Sequence, residues 1–207
     1  MEKNIEHTAV HEHRDDVGDK LGMWLFIFTE LLLFGMLFIV YAVYRFRNPV
    51  AFELGGEELD VFIGTLNTVI LLISSATVAM AISAIQKGNK KQALLFLGTT
   101  LVIAVVFLVN KYFEWGAKIE YGFYPGGDAL IELGHGTILF FGLYYVMSGI
   151  HALHIIIGVG LFIYVFQQIR KDKINSTDFV WLENTGLYWH LVDLIWIFLF
   201  PLFYLIH

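Results

Sequence analysis

FFGLYYVMSGIHALHIIIGVG, residues 140–160, is an apolar run that holds two histidines, His151 and His154. It is far longer than the four to eight residues of a buried strand and matches the ~20 residues that an α-helix needs to cross a bilayer. An imidazole inside hydrocarbon is costly unless it faces a bundle interior, and a spacing of i, i+3 directs both rings to one side of a helix. That side needs polar partners. The best ones stand in YWHLVD, residues 188–193, where Tyr188, Trp189, His190 and Asp193 head another apolar run.

Working outward, the whole sequence has the same character. Of its 207 residues 57% are hydrophobic and only 15% charged, against the ~45–50% and ~25% of a soluble domain. The reading is an all-α integral membrane bundle of five transmembrane helices, with spans at about 21–44, 61–85, 93–115, 134–166 and 184–205. Residues 1–20 are polar and form a cytoplasmic tail, with 21–207 as the membrane domain. An acidic total of −6 with no basic block argues against nucleic acid. The absence of cysteine excludes disulfides, thiolate-bound zinc or iron–sulfur clusters and C-x-x-C-H haem attachment.

Lysine and arginine set the orientation. With the N-terminus inside, the inner segments hold Lys3, Arg14, Lys20, Lys87, Lys90, Lys91, Arg170, Lys171 and Lys173, and the outer ones Arg45, Arg47, Lys111 and Lys118. The bias gives a cytoplasmic N-terminus and a periplasmic C-terminus. Residues 45–60 read as a loop in which Pro49 and Gly55-Gly56 stop helix propagation. Ser75, Ala79 and Ser83 read as a small-residue stripe for close helix approach, and Asn67 as an interhelical hydrogen-bonder.

The polar residues within the spans are Glu30, Glu114, His135, His151, His154, His190 and Asp193. Glu30 lies about nine residues into the first span, roughly 14 Å deep, and should face protein, lipid headgroup or water. Lys111 and Glu114 fit an i, i+3 ion pair at the membrane interface. A dinuclear metal site would want more carboxylates, and bis-histidine haem would want rings at matched depths on two helices. A transporter would show repeats and broken helices at mid-membrane. A cofactor-free polar cluster that locks helices or holds lipid headgroups is favoured. A stand-alone metalloprotein built on His151, His154, His190 and Asp193 is the alternative from another class. His7, His11 and His13 in the tail titrate near neutral pH and are candidates for collecting protons at the cytoplasmic face.

TELLLF (29–34), LNTVILLISS (66–75), KGNKKQA (87–93), Glu114, FFGLYYVMSGIHALHIIIG (140–158) and YWHLVDLIWIFLF (188–200) occur in this order. Together they resemble subunit III of the haem-copper terminal oxidases, the cytochrome c oxidase subunit 3 family, in its short five-helix bacterial form. The resemblance implies a multi-pass protein of the bacterial inner membrane and a non-redox accessory subunit of an oxygen-reducing, proton-pumping complex of aerobic respiration. It implies no catalytic residue, no metal ligand and no cofactor in this chain, with haems and copper in partner subunits. Subunit I is the implied main contact, with subunit II, other oxidase subunits, phospholipid and a larger respiratory supercomplex beyond it.

The implied jobs are to stabilise subunit I, sustain proton uptake and give oxygen an apolar route through lipid. Glu30 matches an intramembrane acid near bound phospholipid. Glu114, His151, His154, Tyr188, Trp189, His190 and Asp193 match internal polar packing and lipid contacts. Quinol oxidases and a homologue associated with nitric oxide reductase share the short form and are the alternatives. Longer members have two more N-terminal helices, which form one arm of a lipid-filled cleft. This sequence lacks them, so lipid binding in such a cleft requires an arm from another subunit.

Overall fold

The computed structural model describes residues 16–206. His7, His11 and His13, the candidate proton-collecting residues, lie outside them. Among the described residues there are seven helices: α1 (Asp16–Arg47), α2 (Pro49–Glu57), α3 (Val61–Gln86), α4 (Lys90–Glu120), α5 (Asp128–Leu133), α6 (His135–Arg170) and α7 (Val180–Tyr204). Five of them, α1, α3, α4, α6 and α7, are long and apolar enough to cross a membrane. The all-α, five-span reading therefore holds. α6, with 36 residues, reaches about 54 Å at 1.5 Å per residue and exceeds the ~30 Å hydrocarbon core.

Local chemistry sets the helix ends. The Asp60 Oδ1 accepts from the Phe62 and Ile63 amides at 2.8 and 3.2 Å and caps α3. Asn89 does the same for α4 through the Gln92 amide at 3.2 Å. Gly134, at φ +97°, makes the break between α5 and α6, a backbone state that side-chain-bearing residues rarely adopt.

Two sequence readings are corrected. Residues 49–57, expected as loop, are the helix α2. Pro49 opens it at the first turn, where a proline lacks no needed donor. Gly55 and Gly56 serve contact rather than termination: a Cβ on Gly55 would stand 2.4 Å from the Phe140 ring, and one on Gly56 3.2 Å from the Ile206 carbonyl oxygen. The stripe Ser75, Ala79, Ser83 is also not the buried one. Ser74, Thr77, Val78, Ala81 and Ala84 are buried on α3, while Ala79 is exposed. The close approach comes from the other helix, at Gly186 of α7, where a Cβ would meet the Ile82 side chain at 2.8 Å.

α3, α4, α6 and α7 pack in a ring, each against the next, and α7 also receives α1. α7 is the most enclosed of the five and α1 the least. Tyr41 ties α1 to α7 by donating to the Leu202 carbonyl just past Pro201. Asn110 Nδ2 donates to Asn67 Oδ1 at 3.0 Å between α4 and α3, the interhelical bond expected of Asn67. At one end Lys90 bridges the α3–α4 turn to the end of α6, through the Arg170 carbonyl at 2.9 Å and Asp172 Oδ1 at 2.6 Å.

Candidate functional site

Five of the seven polar residues singled out within the spans gather in three separate places, each defined by which helix faces which, while His151 and His135 stand apart. His151 and His154 diverge although they are one turn apart. His151 turns into the ring between Phe107 of α4 and Trp196 of α7, with centroids at 5.7 and 5.1 Å. His154 turns out towards α1, where its Nε2 lies 2.9 Å from Glu30 Oε2.

The Glu30–His154 contact answers the question raised by an acid deep in α1. The His154 Nδ1 lies 2.8 Å from the Ile150 carbonyl, and a carbonyl can only accept, so Nδ1 bears hydrogen. One further proton is then shared between Nε2 and the carboxylate. Whichever atom holds it, the pair carries no net charge, which lowers the cost of its position in the membrane. Tyr188 steadies the arrangement from α7: its hydroxyl donates to the His154 carbonyl at 2.9 Å and its ring lies nearly parallel to the imidazole. Phe34 meets the imidazole edge at 5.6 Å.

Inside the ring stands a second, closed group. Lys111 Nζ donates to Glu114 Oε2 at 3.2 Å, to Tyr144 Oη at 3.0 Å and to Tyr204 Oη at 2.8 Å. These three bonds use all the hydrogens of an ammonium group. Tyr144 donates to Glu114 Oε1 at 2.6 Å, and the Tyr204 hydroxyl reaches the same oxygen. The ammonium also lies 4.8 Å from the Tyr144 ring centre and 5.2 Å from that of Trp196, within cation–π range. The ion pair expected between Lys111 and Glu114 is present, and it is buried inside the bundle: their side chains are 2% and 3% exposed. Three helices close over it.

The third group joins α7 to α3. The His190 Nδ1 and Ser75 Oγ are 2.6 Å apart, and the buried Asp193 carboxyl lies beside Ser75 with neither oxygen hydrogen-bonded among the described residues. Trp189 fills the neighbouring space. Its Nε1 donates to Ser74 Oγ at 2.9 Å, and its ring presses on Gly158, where a Cβ would stand 2.7 Å away. His135 opens α6, beside neither His151 nor His154.

His151, His154, His190 and Asp193 therefore do not converge, and among the described residues no three His, Asp or Glu side chains form a metal-sized group. What the geometry can do is hold helices in register through matched polar contacts and offer grooves between α1, α6 and α7. Sequence reasoning missed Tyr144 and Tyr204, which read as ordinary aromatic residues of apolar helices. It also missed Trp196 against His151 and Ser75 against His190, since such pairings depend on how helices face one another.

The family model described as "Cytochrome c oxidase subunit III" matches residues 2–207. The cytochrome c oxidase subunit 3 of Thermostichus vulcanus is 32% identical over 205 residues, 98% of this chain and 92% of that protein. The cytochrome bo(3) ubiquinol oxidase subunit 3 of Pseudomonas aeruginosa is 28% identical over 197 residues, covering 94% and 89%. The haem-copper oxidase subunit I+III of Aeropyrum pernix is 32% identical over 204 residues, which are 94% of this chain but 24% of that longer protein.

Proposed function

We propose, because the chain belongs to the cytochrome c oxidase subunit III family, that it is the non-redox third subunit of a bacterial cytochrome c oxidase, seated in the inner membrane against subunit I. The family match over residues 2–207 carries this reading. A relative named as subunit I+III supports subunit I as the neighbour, since one chain there bears both names. Haems and copper belong to partner subunits in this reading, and this chain contributes support to subunit I and to its proton uptake. Residues 1–20 are the cytoplasmic tail and 21–207 the membrane domain. With Lys111 buried inside the bundle, the outer loops lose one of their four cations, which strengthens the case for an inner N-terminus.

Relatives named as quinol oxidase subunits favour one alternative, in which quinol is the electron donor. Gentle extraction of the tagged chain, a reduced-minus-oxidised spectrum and oxygen uptake with each donor decide between them. Haem bands with uptake from cytochrome c are the expected result. Preference for quinol would select the alternative, and a colourless preparation that holds together alone would overturn both.

Phospholipid is the proposed ligand. Ile157, Leu161, Tyr164 and Gln168 recur on one side of α6 and climb roughly 16 Å along it. The first two line a groove of about 430 Å³ with Met23, Phe26, Trp181 and Tyr188. The last two line a second hollow of about 260 Å³ with Lys173, Ile174, Asp178 and Trp181. Apolar wall followed by polar pocket is the order of an acyl chain and its headgroup. Lys173 suits the phosphate, and the buried Gln168 Oε1, unpartnered among the described residues, suits an ammonium donor. Tyr188 links the apolar groove to the Glu30–His154 pair. Glu30→Gln is therefore expected to leave assembly intact, reduce co-purifying phospholipid and hasten inactivation during turnover. Parent-like lipid content and parent-like inactivation together would make Glu30 structural.

A further inference from the structure

We infer that Asp193, Ser75 and His190 form a proton-exchange site open to water at the end of the bundle where α7 begins. A crevice of about 420 Å³ runs between α1, α3 and α7, lined by Lys20, Trp24, Ile82, Glu183, Leu187 and His190 among others. Lys20 and Glu183 pair across it at 3.1 Å and remain partly exposed. His190 lines this crevice and is half-buried, and its Nδ1 is already engaged with Ser75 Oγ at 2.6 Å. Its Nε2 has no partner among the described residues and is left to the crevice. Asp193, three residues on from His190 in α7, is 3% exposed, lies beside Ser75 and has neither oxygen hydrogen-bonded among the described residues.

The order of the three groups decides what they do. In a nucleophilic triad the imidazole stands between hydroxyl and carboxylate. Here the hydroxyl stands beside both imidazole and carboxyl, an order that passes protons and leaves the imidazole without a carboxylate to orient it. A bare carboxylate buried with no hydrogen bond is costly. In its acid form Asp193 turns its O–H to the neighbouring Ser75 Oγ, and the Ser75 O–H turns to His190 Nδ1. When the Asp193 proton moves to Oγ, the original Ser75 proton moves to Nδ1. The products are a carboxylate that accepts from Ser75 and an imidazolium whose Nε2 proton leaves to crevice water. Reprotonation retraces the path, and one proton is exchanged with no other change.

The titratable groups facing this path are Lys20 from α1 and Glu183 and His190 from α7. α3 has no titratable side chain. α6 turns its histidines elsewhere, His154 to Glu30 and His151 to Phe107 and Trp196. The relay requires no partner subunit, and a test that reads the carboxyl itself stands apart from the respiratory role proposed above.

The test is infrared difference spectroscopy on the purified assembly containing this chain, carrying ¹³C-carboxyl aspartate and stepped from H₂O to D₂O. The expected result is an aspartic acid C=O band that is absent in Asp193→Asn and shifts promptly in D₂O. In Ser75→Ala and in His190→Gln the same shift should be roughly tenfold slower, as loss of one hydrogen-bonded step implies. Absence of any such band would overturn the proposal, as would a band that exchanges at the parent rate after the Ser75 hydroxyl is removed. Should Asp193→Asn not assemble, the Ser75→Ala exchange rate decides alone, since that substitution removes one atom and leaves the packing in place.

Discussion

Glu114→Ala is expected to destabilise the chain by about 3–5 kcal/mol, because it leaves the Lys111 ammonium buried with no counter-charge. Lys111 is 2% exposed and enclosed by Tyr144, Trp196 and Tyr204, so its ammonium has no second carboxylate to turn to among the described residues. The two tyrosine hydroxyls would still accept from the ammonium but cannot neutralise it. Removing both charges is a different case: Lys111→Met combined with Glu114→Leu should recover most of the loss, since matched apolar replacement of a buried pair is often neutral or better. Thermal unfolding of the detergent-purified assembly measures both. A Glu114→Ala variant that unfolds with the parent would show that the pair contributes little, and a double variant worse than the single would show that the polar contacts themselves hold the ring.

The second large effect belongs to Trp189→Ala, also about 3–5 kcal/mol, the range for emptying a buried large aromatic site. Helices in lipid associate through packing more than through removal of apolar surface from water, so an unfilled gap has little to offset it. Trp189 is fully buried, seats its ring on Gly158 of α6, meets Phe162 edge-on at 5.2 Å and bonds Ser74 of α3. One side chain thus joins three helices. Amide hydrogen exchange should rise along α6 and α7 around the gap, while Trp189→Phe, which keeps most of the ring volume and loses the Ser74 bond, should fall between. Unchanged exchange in the alanine variant would mean that the helices close the gap without cost.

The five spans were legible because each is an apolar run longer than any soluble core element requires, and the number survives errors of several residues at the ends. α2 was not legible from Pro49 and Gly55-Gly56, since the same residues that end a helix also begin one or make room for a neighbour. Glu30 could be singled out as an acid at depth, yet its partner His154 is 124 residues away in sequence, and only the facing of α1 against α6 brings them together. Lys111 near the end of an apolar window looked like an interface residue. It is buried because α4 continues to Glu120 and α6 and α7 carry tyrosines to its level. Spacing placed His151 correctly towards the bundle interior but not His154 beside it: 100° per residue leaves residues three apart about 60° off one another, enough to send one ring inside and the other to α1.

The ring of α3, α4, α6 and α7 has a consequence for biosynthesis. α7 follows the other three members in sequence, and chains emerge from the ribosome N-terminal end first. Until α7 enters the membrane, Lys111 lacks Tyr204, Ser74 lacks Trp189, and Thr68 lacks the Trp196 indole that donates to it at 3.0 Å. In the half-made protein Ser74 and Thr68 still donate to the Leu71 and Gly64 carbonyls, and Lys111 keeps Glu114 and Tyr144. Each is one partner short along the same open seam, and the last helix supplies all three missing partners together.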